Sequence, residues 1–352
     1  SSPCIDAGDT DLDGDGTTWS SDTDDQDPDG TRMDMGAYYY HQVTESQPNG
    51  SGTSNDPYLI ATLNNLHWLS QNINHWNKYY KQVANINASV TQYWDISDDN
   101  SDGNKYNDTD DATSAGNNEG FPGIGNAQTK FTGSYNGDGY TIDELHINRP
   151  NNDYVGFFGY TYDDATIQDL GITNANISGK RWTGCLIGSA YSTTLSNSYS
   201  TGSVTGGSSS FAGSYIGGLV GESEQSSIIN CYSTGTLTSA NQNSSNIGGL
   251  VGRNYGSSTI SKSYSTMSLS NCHSSIGGLV GMNGGNSSVI NSYSTGNVSG
   301  NFAVGGLVGE NTDNGSDVTN CYSTGNVTGT VDNHFGGFVG YNMNYSDVTN
   351  YY

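Results

Sequence analysis

Basic residues are scarce in this 352-residue chain: ten Lys and Arg stand against 35 Asp and Glu, for a formal net charge of −25. Nucleic acid is excluded as a partner, because phosphate backbones are held by clustered Lys and Arg. Lys180 and Arg181 are the only adjacent basic pair. Long apolar runs are also missing, since no stretch approaches the 18 or more apolar residues of a membrane-spanning helix. We expect no membrane insertion of this segment.

The chain also begins without an initiator Met, a signal peptide or a sorting tail. We therefore expect it to be a processed or excised part of a longer secreted protein. Glycine is abundant at 49 residues but lacks the Gly-X-Y period, which excludes collagen. Five cysteines are an odd and small number for a chain of this length, so a dense disulfide scaffold is excluded as well.

What the sequence does contain is a repeat. Its full form is Gly217-Gly218-Leu219-Val220-Gly221, a polar stretch, and then Ile228-Ile229-Asn230-Cys231-Tyr232-Ser233-Thr234-Gly235. The first part returns at 248–252, 277–281, 305–309 and, with Phe338, at 336–340, and in degenerate form at 155–159 and 184–188. The closing glycines are 28 to 33 residues apart. Such a period is typical of stacked repeats whose units bury their apolar side only against each other.

Each repeat holds three short runs of β-branched or aromatic residues, bounded by Gly, Asn and Ser. The runs are Gly-Gly-Leu-Val-Gly, the run ending in Tyr-Ser-Thr-Gly, and a short one such as 297–299. Runs of this kind predict strands and turns. Three strands in about 30 residues predict one coil of a parallel β-helix, with equivalent residues roughly 4.8 Å apart in successive coils. The predicted fold class is therefore all-β, a parallel β-helix or β-solenoid.

This register predicts ladders of equivalent residues. They are Leu195, Ile228, Ile260, Val289, Val318 and Val348; then Tyr199, Tyr232, Tyr264, Tyr293, Tyr322 and Tyr352; then Val204, Leu237, Leu269, Val298 and Val327. The small residues before the tyrosines are Ser198, Cys231, Ser263, Ser292 and Cys321. Neighbours in a strand face opposite sides, and we expect the small residues inside unless a bulge at the preceding Asn reverses the order. If the tyrosines face outward, sugar rings could stack on them. If they face inward, they form part of the core.

Two of these small residues, Cys231 and Cys321, share a register but lie three coils apart, roughly 14 Å at the spacing of strands. This separation exceeds the Cα distance that a disulfide allows. We predict buried free thiols in place of Ser.

The repeat resembles the GLUG repeat of large secreted bacterial surface proteins, which include adhesins and IgA-peptidase-like proteins. The resemblance covers roughly residues 50–352 and rests on the recurrence, in phase, of 217–221 and 230–235. It implies a right-handed β-solenoid at the cell surface or outside the cell, and no particular ligand. Residues 2–9, with 27–38, resemble the terminal piece of secreted right-handed β-helix domains, which usually ends a helix and here begins the chain.

A short helix is predicted before the repeats. Leu63, Leu66, Leu69, Ile73 and Trp76 have the 3-3-4-3 spacing of one helical face, and Thr62 is available as N-cap. Such a helix would cover the open edge of the first coil. The sequence thus divides into an acidic end-piece (1–40), a linker (41–55), the capping helix with irregular first coils (56–150) and the GLUG-type solenoid (151–352).

The C-terminal strand at 348–352 has no equivalent cap. Residues 1–40 of one molecule would cover the last coil of the next in a heterologous, non-closing contact, which produces a filament. A truncated stalk or adhesin module is the alternative.

Two acidic loops are candidate calcium sites. Asp9, Asp11, Asp13 and Asp15, with Gly14 in sixth place, match the first half of a calcium loop, although Ser20 replaces the Glu of position twelve. Asp98, Asn100, Asp102 and Asn104, with Gly103 in sixth place, form a second half-match. Hard oxygen donors without a Cys/His cluster favour calcium, and a solvated acidic loop is the alternative at each. We predict structural calcium.

Catalytic patterns are weak in this sequence. Glu222, Glu224, Glu310, Asp313, Asp317 and Asp347 are predicted to lie in turns, and the six His are dispersed. We predict a non-enzymatic, extracellular or cell-surface, structural or adhesive protein. Its expected partners are copies of itself end to end, another surface protein or a glycan. The alternative is a carbohydrate-binding or polysaccharide-degrading β-helix protein.

Overall fold

The structure is a computed structural model that describes residues 45–94, 119–207, 213–241, 244–313, 315–329, 334–343 and 346–351. The chain forms two compact units, one of residues 45–92 and 119–352, the other of residues 1–44 and 93–118. Only Tyr93 and Trp94 of the second unit are described. The predicted end-piece and both candidate calcium loops lie outside the described residues, and the predicted domain boundaries stay predictions.

The first unit is a parallel β-solenoid of about seven coils, with roughly 30 residues in each, as the period predicted. Its first strands are β1 (Tyr58–Ile60), β2 (Tyr79–Gln82), β3 (Ile86–Asn87), β4 (Ser134–Asn136), β5 (Thr141–Asp143), β6 (His146–Val155), β7 (Phe158–Thr161), β8 (Thr166–Gln168) and β9 (Gly171–Gly184). The remaining strands follow these along the chain.

The middle coils contain β10 (Ile187–Tyr191), β11 (Thr194–Ser196), β12 (Tyr199–Gly206), β13 (Ile216–Gly217), β14 (Val220–Glu224), β15 (Ser227–Ile229), β16 (Tyr232–Ser239), β17 (Ser245–Gly248), β18 (Val251–Tyr255), β19 (Thr259–Ser261), β20 (Tyr264–Ser265) and β21 (Ser268–Ser270). The last coils contain β22 (Ser274–Gly277), β23 (Val280–Asn283), β24 (Ser288–Ile290), β25 (Tyr293–Ser294), β26 (Val298–Gly300), β27 (Phe302–Gly305), β28 (Val308–Asn311), β29 (Asp317–Ser323), β30 (Val327–Gly329), β31 (Phe335–Gly336), β32 (Val339–Asn342) and β33 (Asp347–Tyr351).

Each strand pairs in parallel with its equivalent in the next coil. One sheet consists of β7, β10, β14, β18, β23, β28 and β32, one strand from each of seven coils, and the remaining strands form the larger sheet. The register aligns Leu195 with Ile228 and Ile260, and Leu237 with Leu269 and Val298. The predicted ladders are therefore confirmed except at Tyr352, which lies outside the described residues, and the inward side chains from Leu195 to Val318 and from Val204 to Val298 are buried in the core.

The Gly-Gly-Leu-Val-Gly motif is a corner and not a strand. Gly217 ends β13, Gly218 and Leu219 form a bend, and Val220 begins β14. Leu219 and Val220 are neighbours in sequence and both fully buried. A straight strand would turn one of them outward, so the chain has to bend between them. The prediction that this run is a single strand was wrong.

A second corner lies at the Asn before the tyrosine. Asn230 has φ 55°, and the equivalent Asn291 and Asn320 have φ 51° and 55°. Asn enters this left-handed region more readily than most residues. Around Asn230 and Asn291 the predicted run ending in Tyr-Ser-Thr-Gly is therefore two strands, whereas β29 continues through Asn320. The coil of residues 245–270 has five short strands, β17 to β21, where three were predicted.

Buried hydroxyl and thiol groups accept hydrogen bonds from the backbone at this corner. The Cys231 N–H donates to Ser263 Oγ (3.1 Å), Ser263 N–H to Ser292 Oγ (3.2 Å), and Ser292 N–H to the sulfur of Cys321 (3.4 Å). These side chains are buried, which confirms that the small residues face inward. Each therefore satisfies a backbone donor that a buried turn would otherwise leave unpaired.

The cysteines agree with the prediction of buried thiols. Cys185, Cys231, Cys272 and Cys321 are free and buried, whereas Cys4 lies outside the described residues. Burial raises the pKa of Cys231 to about 12, although hydrogen bonds with the backbone of Ser198 and Ile229 lower it. These thiols therefore stay protonated at neutral pH and behave as small packing groups.

The predicted helix is present as α1 (Leu63–Gln71). Thr62 is its N-cap and accepts from the Asn65 N–H (3.2 Å), while the Asn65 side chain accepts from the Thr62 N–H (3.2 Å). Trp68 packs edge-on against Tyr58 of β1, with 5.4 Å between ring centroids. The helix therefore covers the first coil, as expected for a cap.

The helix is shorter than the predicted apolar face. Asn72 is the C-cap, and its side-chain amide donates to the Trp68 carbonyl (2.7 Å). Ile73 consequently lies in a separate 3-10 segment, Ile73–His75, and is 49% exposed, so its assignment to the buried face was wrong. A second 3-10 segment is Ser89–Tyr93. Among the described residues, no helix is long and apolar enough to cross a membrane.

Candidate functional site

The tyrosine ladder faces outward. The rings of Tyr199, Tyr232, Tyr264, Tyr293 and Tyr322 stack with centroids 4.7–4.8 Å apart and interplanar angles of 2–4°. Tyr322 is 40% exposed. Partial burial, and then the neighbouring tyrosines, raise the pKa of Tyr232 and of Tyr293.

Stacking limits what this ladder offers to a ligand. Each inner ring has a neighbouring ring over both faces, and the outer face of Tyr199 lies over Gly171, where an added Cβ would be closer than 3.0 Å to the ring. From Tyr199 to Tyr293, only ring edges and hydroxyl groups therefore reach the solvent. The ladder is an outward inter-coil stack that stabilises the solenoid, and its inner rings present no open face to a sugar.

A second outward cluster interrupts the repeat. We call Tyr215, Glu222, Glu224, Arg253 and Tyr255 the Arg253 cluster. Arg253 Nε lies 3.1 Å from Glu222 Oε1, and its NH2 lies 4.0 Å from Glu224 Oε2. Its NH1 donates to the Tyr215 hydroxyl (2.8 Å). The guanidinium carbon is 4.6 Å from the ring centroid of Tyr215 and 4.3 Å from that of Tyr255.

Glu222 is the buried member of the Arg253 cluster. It also accepts from the Ser189 hydroxyl (3.2 Å), one coil before. Burial raises the pKa of Glu222, Arg253 opposes this rise, and Glu224 adds to it. The two carboxylates thus share one guanidinium, and the cluster is closed by contacts among its own members. Sequence reasoning missed it, although Arg253 and Lys262 are the only basic residues after Arg181.

An aromatic stack adjoins this cluster. Tyr154 stacks on Tyr160 (5.0 Å) and on Trp182 (4.6 Å). The Arg181 guanidinium lies 4.4 Å from the Trp182 ring centroid and forms an ion pair with Asp153. Cation–π and ion-pair contacts of this kind, when partly buried, hold neighbouring coils in register. The ring faces in this stack are occupied by protein groups, as they are in the tyrosine ladder.

We expect Arg253→Met to lower the free energy of unfolding by about 2 kcal/mol at pH 7, because it leaves Glu222 buried without its cationic partner. Met282 occupies the equivalent position in the next coil, so Met suits the backbone there. The pKa of Glu222 should rise further. Since burial already holds it above the unfolded value of 4.5, the loss should be smallest below pH 4.5 and grow as the pH rises.

The control is the double variant Arg253→Met with Glu222→Ser, because Ser189 holds the same position as Glu222 one coil earlier. Urea unfolding followed by circular dichroism at several pH values should show most of the stability restored and the pH dependence gone. Equal stability of the single and double variants would contradict this account of the ion pair.

The acidic residues of the repeats do not lie where they were predicted. Glu222 and Glu224 are in β14, Glu310 in β28, Asp317 in β29 and Asp347 in β33; Asp313 alone of the six follows a strand, in a bend. The prediction of turns was therefore wrong for five of the six residues. For Glu222, Glu224 and Glu310 the reason is that Gly-Gly-Leu is itself the corner, so the residues that follow it are strand. Within the described part of the chain, no three His, Cys, Asp or Glu side chains are grouped to hold a metal ion.

The coil of residues 334–351 exposes side chains that other coils bury. Phe335 is 39% exposed, whereas Val304 at the same position in the preceding coil is fully buried. Val348 is partly exposed, whereas its register partner Val318 is fully buried. Within the described residues, this coil therefore presents partly exposed apolar side chains, and β33 pairs with β29 on one side.

Stacked coils, inward ladders and glycine corners define a parallel β-solenoid repeat protein. The GLUG motif matches residues 212–238, 243–270, 273–299 and 300–328, so the chain contains four GLUG repeats, as its sequence resemblance implied.

Solved structures share this fold. The chain is similar to a putative immunoglobulin A1 protease from Bacteroides ovatus, with 19% identity, a TM-score of 0.53, and coverage of 85% of this chain and 86% of that one. It is also similar to a structure described as IgA1 protease, with 23% identity, a TM-score of 0.57, and coverage of 83% of this chain and 21% of that one. At these identities the likeness shows the fold alone.

One curated relative has higher identity over a shorter stretch. The chain is 34% identical over 140 residues to halomucin of Haloquadratum walsbyi. The alignment covers 40% of this chain and 1% of halomucin, so the chain spans only a very small part of that relative's length.

Proposed function

We propose that this chain is a non-enzymatic structural and adhesive β-solenoid that acts outside the cell or at its surface, and that it joins end to end with copies of itself. The observation that carries the proposal is the apolar, partly exposed coil of residues 334–351, which is the kind of surface that a further β-helical segment covers. Four GLUG repeats and the similarity to halomucin support a structural role. In the contact, residues 1–40 of one molecule cover this coil of the next.

Calcium is part of the proposal. Asp9, Asp11, Asp13 and Asp15 in the end-piece, and Asp98, Asn100, Asp102 and Asn104, would supply the oxygen ligands. A cation would also reduce the repulsion between acidic segments that meet at a joint, in a chain of net charge −25. Stability of the joint would then depend on the metal.

Negative-stain electron microscopy of the whole chain tests this proposal. We expect fibres in calcium and shorter or disordered fibres in EDTA. Phe335→Glu should leave short rods, because it places a charge in the apolar contact, whereas Thr349→Glu on the exposed outer side of the same coil should still give fibres. Short, separate rods of the unmodified chain at every concentration would overturn end-to-end assembly and favour a stalk module.

Polysaccharide degradation is the second candidate, because Glu222 and Glu224 are two residues apart on one strand and so face the same side. Their shared contact with Arg253 favours the structural role instead. Carbohydrate binding without cleavage is favoured by a different observation, described next.

A further inference from the structure

A groove of about 510 Å³ runs along one side of the GLUG repeats. Its lining residues are Ser239, Ala240, Asn241, Asn271, Cys272, Ser299, Gly300, Asn301, Thr328 and Gly329. They come from the ends of β16, β21, β26 and β30, which are equivalent strands of four successive coils. The groove therefore follows the solenoid axis, and a ligand in it would meet a similar set of groups at every coil, roughly every 4.8 Å.

The side chains that line the groove indicate which class of ligand it can bind. The groups are neutral amides, hydroxyls, a thiol and backbone, and none of the described lining residues is charged or aromatic. Phosphorylated, sulfated or uronate polymers need Arg or Lys partners, and a net charge of −25 repels them. A peptide partner would need pockets for large apolar anchors. A neutral polymer rich in hydroxyl groups fits, because Asn side chains both donate and accept hydrogen bonds.

Asn271 is the most accessible amide in this set. It is exposed, has φ 58° and makes no side-chain hydrogen bond to another described residue. The Ser299 hydroxyl, which also lines the groove, donates to the Leu269 carbonyl (3.1 Å), so its oxygen can still accept a hydrogen bond.

We infer that this groove binds an extended, uncharged glycan through hydrogen bonds from successive coils. The inference deepens the adhesive part of the proposed function and does not depend on fibre formation. Because hydrogen bonds to solvated hydroxyl groups contribute little net free energy each, affinity should come from several coils acting together.

The test is binding of the whole chain to immobilised polysaccharides: neutral glucans, mannans and galactans, with alginate and heparin as anionic probes. We expect binding to at least one neutral polymer and none to the anionic ones. Asn271→Asp removes the amide donors and should weaken binding about tenfold. Asn291→Asp is the matched control, since Asn291 is also exposed, has φ 51° and lies outside the groove.

Equal binding by the two variants, binding to the anionic polymers only, or no binding to any probe would each overturn the inference. Thermal melting of both variants checks that neither loss comes from unfolding. Fibre formation is measured separately by microscopy, so that failure of the glycan site and failure of end-to-end assembly are distinguished.

Discussion

Gly278→Ala is expected to lower the free energy of unfolding of the repeat region by about 3 kcal/mol, the upper end of the usual range for core overpacking. An added Cβ at Gly278 would lie closer than 3.0 Å to the Gly306 carbonyl oxygen of the next coil. That oxygen belongs to the backbone and cannot rotate away. Because each coil is stabilised only by its neighbours, displacing one coil weakens the contact on both sides.

Gly337→Ala is the matched control. Gly337 holds the same position in the motif, and nothing lies within 4 Å of an added Cβ there. We expect a change below about 1 kcal/mol, the usual range for substitutions that touch nothing. Thermal unfolding and hydrogen exchange of the two variants check the prediction, and similar losses for both would show that the glycine is needed for a reason other than close stacking.

Asn283→Asp is expected to cost about 3 kcal/mol at pH 7. Asn283 is fully buried in a second ladder: its Oδ1 accepts from Asn254 Nδ2 (2.8 Å), and its Nδ2 donates to Asn311 Oδ1 (2.8 Å) and to the Ser287 carbonyl (3.2 Å). The aspartate would lose both donated bonds and place an unpaired charge in the core. The position tolerates an amide because an amide both donates and accepts.

The effect of pH provides a sharper test of this variant. Burial disfavours the ionised form and raises the pKa of the new carboxyl above its unfolded value of about 3.9. The destabilisation should therefore be smallest below about pH 4 and should increase as the pH rises. Urea unfolding at several pH values measures this.

Asn320→Asp serves as the control. Asn320 is exposed and donates to Asn291 Oδ1 (3.2 Å), so we expect a loss of about 0.5 kcal/mol with little dependence on pH. A comparable loss at both positions would contradict the assignment of the Asn254–Asn283–Asn311 ladder to the core.

Both predictions depend on contacts between coils. Some of these contacts can be predicted from the sequence, and others cannot. The asparagine ladder went unnoticed in the sequence, although Asn254, Asn283, Asn311 and Asn342 each come two residues after a closing glycine. The spacing was visible, but a polar residue in a repeat of Ser, Asn and Gly gives no sign of burial. Only the corner at Gly-Gly-Leu, which turns the following strand, places these amides inside.

The sequence by itself determined which residues occupy equivalent positions in successive coils. A period near 30 residues aligns Leu195 with Ile228, and Tyr199 with Tyr232, because parallel coils put like residues side by side. The small inward residues and the N-terminal helix followed from alternation and from helical spacing. These features depend on residues that are near in sequence or one period apart.

The tertiary structure alone decided where the coil bends and what meets across it. Arg253 contacts Tyr215 across 38 residues, a separation that is no multiple of the period. The shared guanidinium of the Arg253 cluster and the neutral groove arise where different positions of adjacent coils come together. A repeat pattern encodes which residues stack, whereas the geometry of the corners decides which side of the coil each stack faces.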